Sequence, residues 1–136
     1  MKNLQNSTIK YFIYARKSSE DKEKQVASIS DQLDVLHRIA KLNNLNIVGI
    51  YEESQSAKKE GRPQFDAMIT RIIKGDANAI LCWKPDRLAR NPVDAGTLSS
   101  LLQNSILKVI KTNDKEHYPD DNVLMLLLEF GMANQY

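Results

Sequence analysis

Between Ile9 and Ile110, short runs rich in β-branched and aromatic residues alternate with stretches of helical period, and that alternation leaves few folds open. Ile9 to Tyr14, Ile47 to Tyr51, Ala79 to Trp83 and Leu107 to Ile110 read as strands. Ile29, Leu33, Leu36 and Ala40 make one buried stripe of a helix over Ile29 to Asn43, with Ser28 as its cap three residues before Asp31. Arg62-Pro63-Gln64-Phe65 opens a second helix, with Pro63 suited to its first turn. Phe65, Met68, Ile69, Ile72 and Ile73 form its buried face, and Gly75 is its stop. Asn91-Pro92 starts a third, carrying Leu98, Leu101 and Leu102. Ala79 to Trp83 is apolar throughout, as a strand covered on both faces must be. The expectation is one α/β domain over residues 1–136: a mostly parallel central sheet of four or five strands flanked by helices.

The last segment departs from this rhythm. Asp120 or Asp121 would cap a helix in which Val123 to Leu128 is apolar on every side. A peripheral helix of a small domain is covered on one side only, so the other side is expected to meet a second protein. No Gly, Asn or Pro terminator precedes Tyr136, which reads as a long oligomerisation helix cut short.

Composition bounds the function by exclusion. The formal charge is 19 − 17 = +2, too small to announce a nucleic-acid partner by itself. The single cysteine, Cys82, precludes an internal disulfide and suits a cytoplasmic location; its apolar surroundings favour a buried thiol. No signal peptide is visible, and the run Val123 to Leu128 is far too short to span a membrane. His37 and His117 lack metal-ligand spacing, so no metal centre is expected.

The chemistry gathers in three polar loops that follow strands. In an open α/β sheet, ligands bind outside the carboxyl ends of the strands. The first loop supplies Arg16 and Ser18, the second Arg62, and the third Lys84, Asp86, Arg87 and Arg90. An arginine fork suits phosphate oxygens, and a serine hydroxyl is a nucleophile, so the set reads as a phosphoryl-transfer site. One well-placed arginine is worth about 10³–10⁵ in rate in other phosphoryl-transfer systems. The bland alternative makes Arg87 and Arg90 solvated residues paired with Asp86 and Asp94. Gln32 would then be an exposed helical glutamine, and Trp83 a core residue rather than a base-stacking one.

Tyr14-Ala15-Arg16-Lys17-Ser18 resembles the signature of the serine site-specific recombinases, the resolvase/invertase superfamily. The resemblance continues through Gln32, Gly61-Arg62-Pro63-Gln64-Phe65 and Asp86-Arg87-Leu88-Ala89-Arg90, in the family's order and over nearly the whole chain. The Ser18–Gln32 spacing and the Arg62-Pro63 pair look most like the large recombinases, phage integrases and mobile-element transposases. The resemblance implies that Ser18 is the nucleophile, forming a 5′-phosphoserine link to DNA during integration, excision or transposition. It implies that Arg16, Arg87 and Arg90 gather on the scissile phosphate and that Arg62, on a mobile loop, is a further catalytic and DNA-contacting residue. Tyr14, Gln32, Lys84 and Asp86 take supporting positions, and Lys58 and Lys59 add phosphate contacts. No metal or cofactor is implied; double-stranded DNA is the substrate, with homodimers at each site and a homotetramer for exchange. The family's main subunit contact is a long helix whose start matches Asp121, and its DNA-recognition domains have no counterpart in these 136 residues.

Two other classes use the same residues. A small-molecule phosphatase should turn over a generic phosphomonoester, which a recombinase should not. A non-catalytic DNA-binding or assembly module would have no use for the serine.

Overall fold

A computed structural model of the chain describes residues 8–17, 28–54, 62–89 and 91–119, with the backbone alone for Asp86. In chain order the elements are β1 (Lys10–Arg16), α1 (Ile29–Leu42), β2 (Asn46–Glu53), α2 (Pro63–Lys74) and β3 (Ala79–Leu81). After these come α3 (Pro85–Leu88), α4 (Pro92–Gln103), β4 (Val109–Lys111) and β5 (Glu116–His117). The described strands form one five-stranded sheet in the order β2-β1-β3-β4-β5. Its first four strands are parallel and β5 runs antiparallel to β4. The expected α/β fold with a mostly parallel sheet is therefore the observed one.

Local sequence accounts for the element boundaries. Ser28 Oγ accepts the Asp31 amide at 3.0 Å and starts α1. Pro63 occupies the first turn of α2, where its missing N–H costs nothing. Gly75 ends that helix at φ 97°, a left-handed conformation that a Cβ would strain. Asn91 Oδ1 accepts the Asp94 amide at 2.9 Å and caps α4.

The core lies in two layers, one on each face of β1. Phe12 and Tyr14 join Phe65, Met68 and Ile72 of α2, Leu98 and Leu102 of α4, and Leu88 of α3. Tyr11 and Ile13 point the other way, to Leu36 and Ala40 of α1 with Ala79, Leu81 and Val109. Fully burying each large apolar side chain is worth about 1.5–3 kcal/mol, so β1, buried on both faces, is the strand the domain depends on most. A register shift at Tyr11/Phe12 pairs Tyr11 with Ile47 but Phe12 with Gly49. There the Phe12 ring fills the space a Cβ would need, 2.8 Å from its ideal position.

Several local expectations need correction. Residues 84–90 were expected as loop, yet Pro85–Leu88 forms one helical turn, since Pro85 presets its first φ. Beyond the four strands expected, Glu116–His117 adds β5, held by Lys111 and Ile110 of β4 rather than by any propensity of its own. Ile73 was expected in the α2 stripe but is 59% exposed, because the helix turns that edge past the sheet. β3 ends at Leu81, leaving Trp83 half-buried just beyond it, while Cys82 is buried as expected. The expected helix from Asp120 or Asp121 lies outside the described residues. Among the described residues, no helix is long and apolar enough to cross a membrane.

The chain leaves β1 for β2 on one side, then crosses back over β1 to β3 on the other. That reversal makes the carboxyl ends of β1 and β3 a topological switch point, the place where open α/β sheets bind ligands.

Candidate active site at the β1/β3 switch point

Arg16 is the last residue of β1, and it is 4% exposed rather than solvated. Two hydrogen bonds with one neighbour, Gln32, fix its backbone. Gln32 Nε2 donates to the Arg16 carbonyl at 2.9 Å, and the Arg16 amide donates to Gln32 Oε1 at 3.4 Å. Gln32 is fully buried, so this glutamine is a strut between α1 and the end of β1 and not an exposed helical residue. The next amide, Lys17, donates to the Glu53 carbonyl of β2 at 3.1 Å. The chain therefore leaves β1 toward Ser18 from a point secured on both sides. Ser18 and Ser19 lie outside the described residues, as do Lys58, Lys59 and Arg90.

Tyr14 shares a face with Arg16 by strand alternation and is fully buried. Its hydroxyl donates to Glu53 Oε1 at 2.9 Å. Burial above all pushes the Tyr14 phenol well above its ordinary value; neighbouring Arg62 opposes the rise and Glu53 adds to it. The phenol is thus a neutral hydrogen-bond donor at physiological pH.

Glu53 is the residue that the sequence alone did not reveal. It lies beyond the strand expected over Ile47 to Tyr51, yet it closes β2 and is 1% exposed. Its carboxylate also accepts the Phe65 amide at 2.9 Å and the Gln64 amide at 3.1 Å, the first turn of α2. An acid at a helix N-terminus is favoured by the orphan N–H groups and the dipole there. One side chain so joins β1, β2 and α2. The available signal was its two-residue spacing from Tyr51, which continues the strand's buried face.

Arg62 immediately precedes α2 and is 4% exposed. Its Nη1 donates to Asp94 Oδ2 at 3.0 Å and its Nη2 to the Leu88 carbonyl at 2.6 Å. The guanidinium stacks on the Phe65 ring, 3.9 Å from the centroid, with the Tyr14 ring at 5.5 Å. Asp94, which the bland alternative assigned to Arg87 or Arg90, pairs with Arg62.

Lys84 is the N-cap residue of α3, exposed, with its Nζ 5.5 Å from the Trp83 ring centroid. Arg87 lies in α3 and is half-buried, and its amide donates to the Lys84 carbonyl at 2.9 Å. Asp86 belongs to the same turn. The fold thus brings Tyr14, Arg16, Gln32, Glu53, Arg62 and the α3 turn to one edge of the sheet. Tyr14, Gln32 and Arg62 spend donors on protein acceptors there, while Arg87 is half-buried and Lys84 exposed at the same edge.

Residues 11–135 match the family model described as the resolvase N-terminal domain. The chain belongs to that family. Among solved structures, the N-terminal catalytic domain of TP901-1 integrase is similar at 22% identity and a TM-score of 0.64, covering 93% of this chain and 94% of that one. A resolvase family site-specific recombinase from Streptococcus pneumoniae matches at 24% identity and a TM-score of 0.65, over 93% and 87% of the two chains. The C-terminal catalytic domain of ISC1926 TnpA, an IS607-like serine recombinase, matches at 19% identity and a TM-score of 0.62, over 88% and 76%. No curated protein matches the chain. At these identities the structural neighbours speak for the fold. The family model, with the order of motifs along the chain, makes this a resolvase-type serine recombinase catalytic domain.

Proposed function

We propose that this domain cuts and rejoins DNA through Ser18. The Ser18 hydroxyl attacks a phosphodiester of double-stranded DNA, its oxygen bonds to phosphorus, and the 3′-oxygen leaves and takes up a proton. The product is a 5′-phosphoserine. After strand exchange a 3′-hydroxyl attacks that phosphorus, restores the phosphodiester and returns the proton to serine. Both steps are redox-neutral transesterifications, so the reading calls for no cofactor.

Arg16, Arg87 and Arg90 hold the non-bridging oxygens and stabilise the charge that grows on them. Arg62, Tyr14, Gln32, Asp86 and Lys84 support that set, with Lys58 and Lys59 on the flanking phosphates. The protein acts as dimers on each site that join as a tetramer, in integration, excision or transposition. The observation that carries this reading is the buried anchoring of Arg16 by Gln32, two residues ahead of Ser18, at the sheet's switch point.

The test is covalent adduct formation on supercoiled plasmids carrying the DNA that flanks this protein's own gene, quenched in detergent. Ser18→Ala should abolish the adduct and leave DNA affinity nearly unchanged, because a hydroxyl contributes nucleophilicity and little binding. Ser19→Ala should keep it. An adduct from Ser18→Ala that disappears in Ser19→Ala would move the nucleophile by one residue. Turnover of a generic phosphomonoester would favour a phosphatase.

A further inference from the structure

Arg62 spends its fork inside the protein. Both terminal nitrogens donate to protein acceptors, and the guanidinium plane is pressed on Phe65. Those acceptors are informative by position. Leu88 is the last residue of α3, one past Arg87, and its side chain is fully buried. Asp94 lies in the first turn of α4, its own amide tied to the Asn91 cap. In the chain, residues 88 and 94 bracket Arg90. One arginine at the head of α2 therefore grips both ends of the segment that follows Arg87 and contains Arg90.

We propose that Asp94 is a positioning residue for the reaction, acting through Arg62 to tie the end of α3 to the first turn of α4 and so to hold Arg87 in place. This rests on the assignment of Arg87 to the scissile phosphate. Without Asp94, Arg62 would be held by one hydrogen bond to the Leu88 carbonyl and by its stack on Phe65. The second, charge-assisted bond to Asp94 sets the direction of the fork. Arg62 is itself set against the α2 turn that Glu53 caps, so the α3–α4 connection is referenced to β1 and β2, the strands that present Arg16. A misplacement of about 1 Å in such a set lowers a rate by about 10²-fold without touching the chemistry itself. Asp94 has a blander role as an acid in the first turn of a helix, and that role alone would leave the reaction rate unmoved.

The experiment compares Asp94→Asn, Asp94→Glu, Arg62→Lys and the double variant Arg62→Lys/Asp94→Asn. Each is assayed for single-turnover adduct formation, DNA affinity and melting temperature, at a temperature where every protein is folded. The substrate is the plasmid described above, with Ser18→Ala as the control. Positioning predicts that Asp94→Asn and Asp94→Glu slow adduct formation about 10- to 100-fold while DNA affinity changes by less than about twofold. The double variant should be no slower than the slower single, because the two side chains act as one unit. Wild-type rates in both folded Asp94 variants, or additive losses in the double, overturn the proposal. A wild-type protein without a Ser18-dependent adduct overturns the recombinase reading instead, and is distinguished by that control.

Discussion

Replacing Glu53 by alanine is the sharpest test of how the site is built. The substitution strips the acceptor from the Tyr14 hydroxyl and from the Phe65 and Gln64 amides. Tyr14 and Phe65 are buried, so two of those donors lose their partner where water does not replace it. Gln64 is exposed and is rehydrated. A buried donor left unmade costs about 1–3 kcal/mol, and a lost helix cap about 1 kcal/mol. With the Phe65 amide counted once, as the cap, the sum is about 2–4 kcal/mol. For a domain of this length each kcal/mol moves the midpoint by about 3–4 °C, so Glu53→Ala should melt roughly 6–16 °C early. Glu53→Gln keeps one oxygen for two of the three bonds and should lose about 1–2 kcal/mol. Thermal unfolding followed by far-UV circular dichroism, with urea melts for the free energies, reads both. If Glu53→Ala melts within about 3 °C of the wild type, the carboxylate is not the junction described. If Gln is as harmful as Ala, charge rather than hydrogen-bond geometry holds the junction.

Two further outcomes follow from packing and burial. Gly49→Ala should cost about 1–3 kcal/mol in the same melts, because its Cβ meets the fully buried Phe12 ring; an unchanged midpoint would mean that the β1–β2 register is softer than its pairing. Burial raises the phenols of Tyr11 and Tyr14 far above their ordinary value, so these two should stay protonated near pH 11 while the fold persists. The unfolded chain releases those protons from about pH 10 and the folded one retains them, so this contribution is complete below pH 10 and declines as pH rises beyond it. Tyrosinate absorbance should then appear with unfolding, and Tyr14→Phe should reduce the pH slope by about 1.4 kcal/mol per unit.

By itself the sequence determined the α/β fold, because its signals are local. A Ser28–Asp31 cap, Pro63 at a first turn and Gly75 in the left-handed region act within a few residues, and periodicity names the buried face. The motif order through Arg16, Arg62 and Arg87 was equally legible, since spacing along a chain needs no coordinates. Only the tertiary structure decided what these side chains do for one another. Tyr14 and Glu53 meet across 39 residues, and Arg62 and Asp94 across 32. Only a two-residue spacing from Tyr51 separates the buried glutamate at the end of β2 from an acid of a solvated loop. Gln32 looked like any helical glutamine until α1 was packed against the end of β1, and β5 has only the edge of β4 to make it a strand. A polar side chain goes inside only when the fold supplies its partner, and that partner is chosen by the crossing of strands and helices rather than by neighbours in sequence.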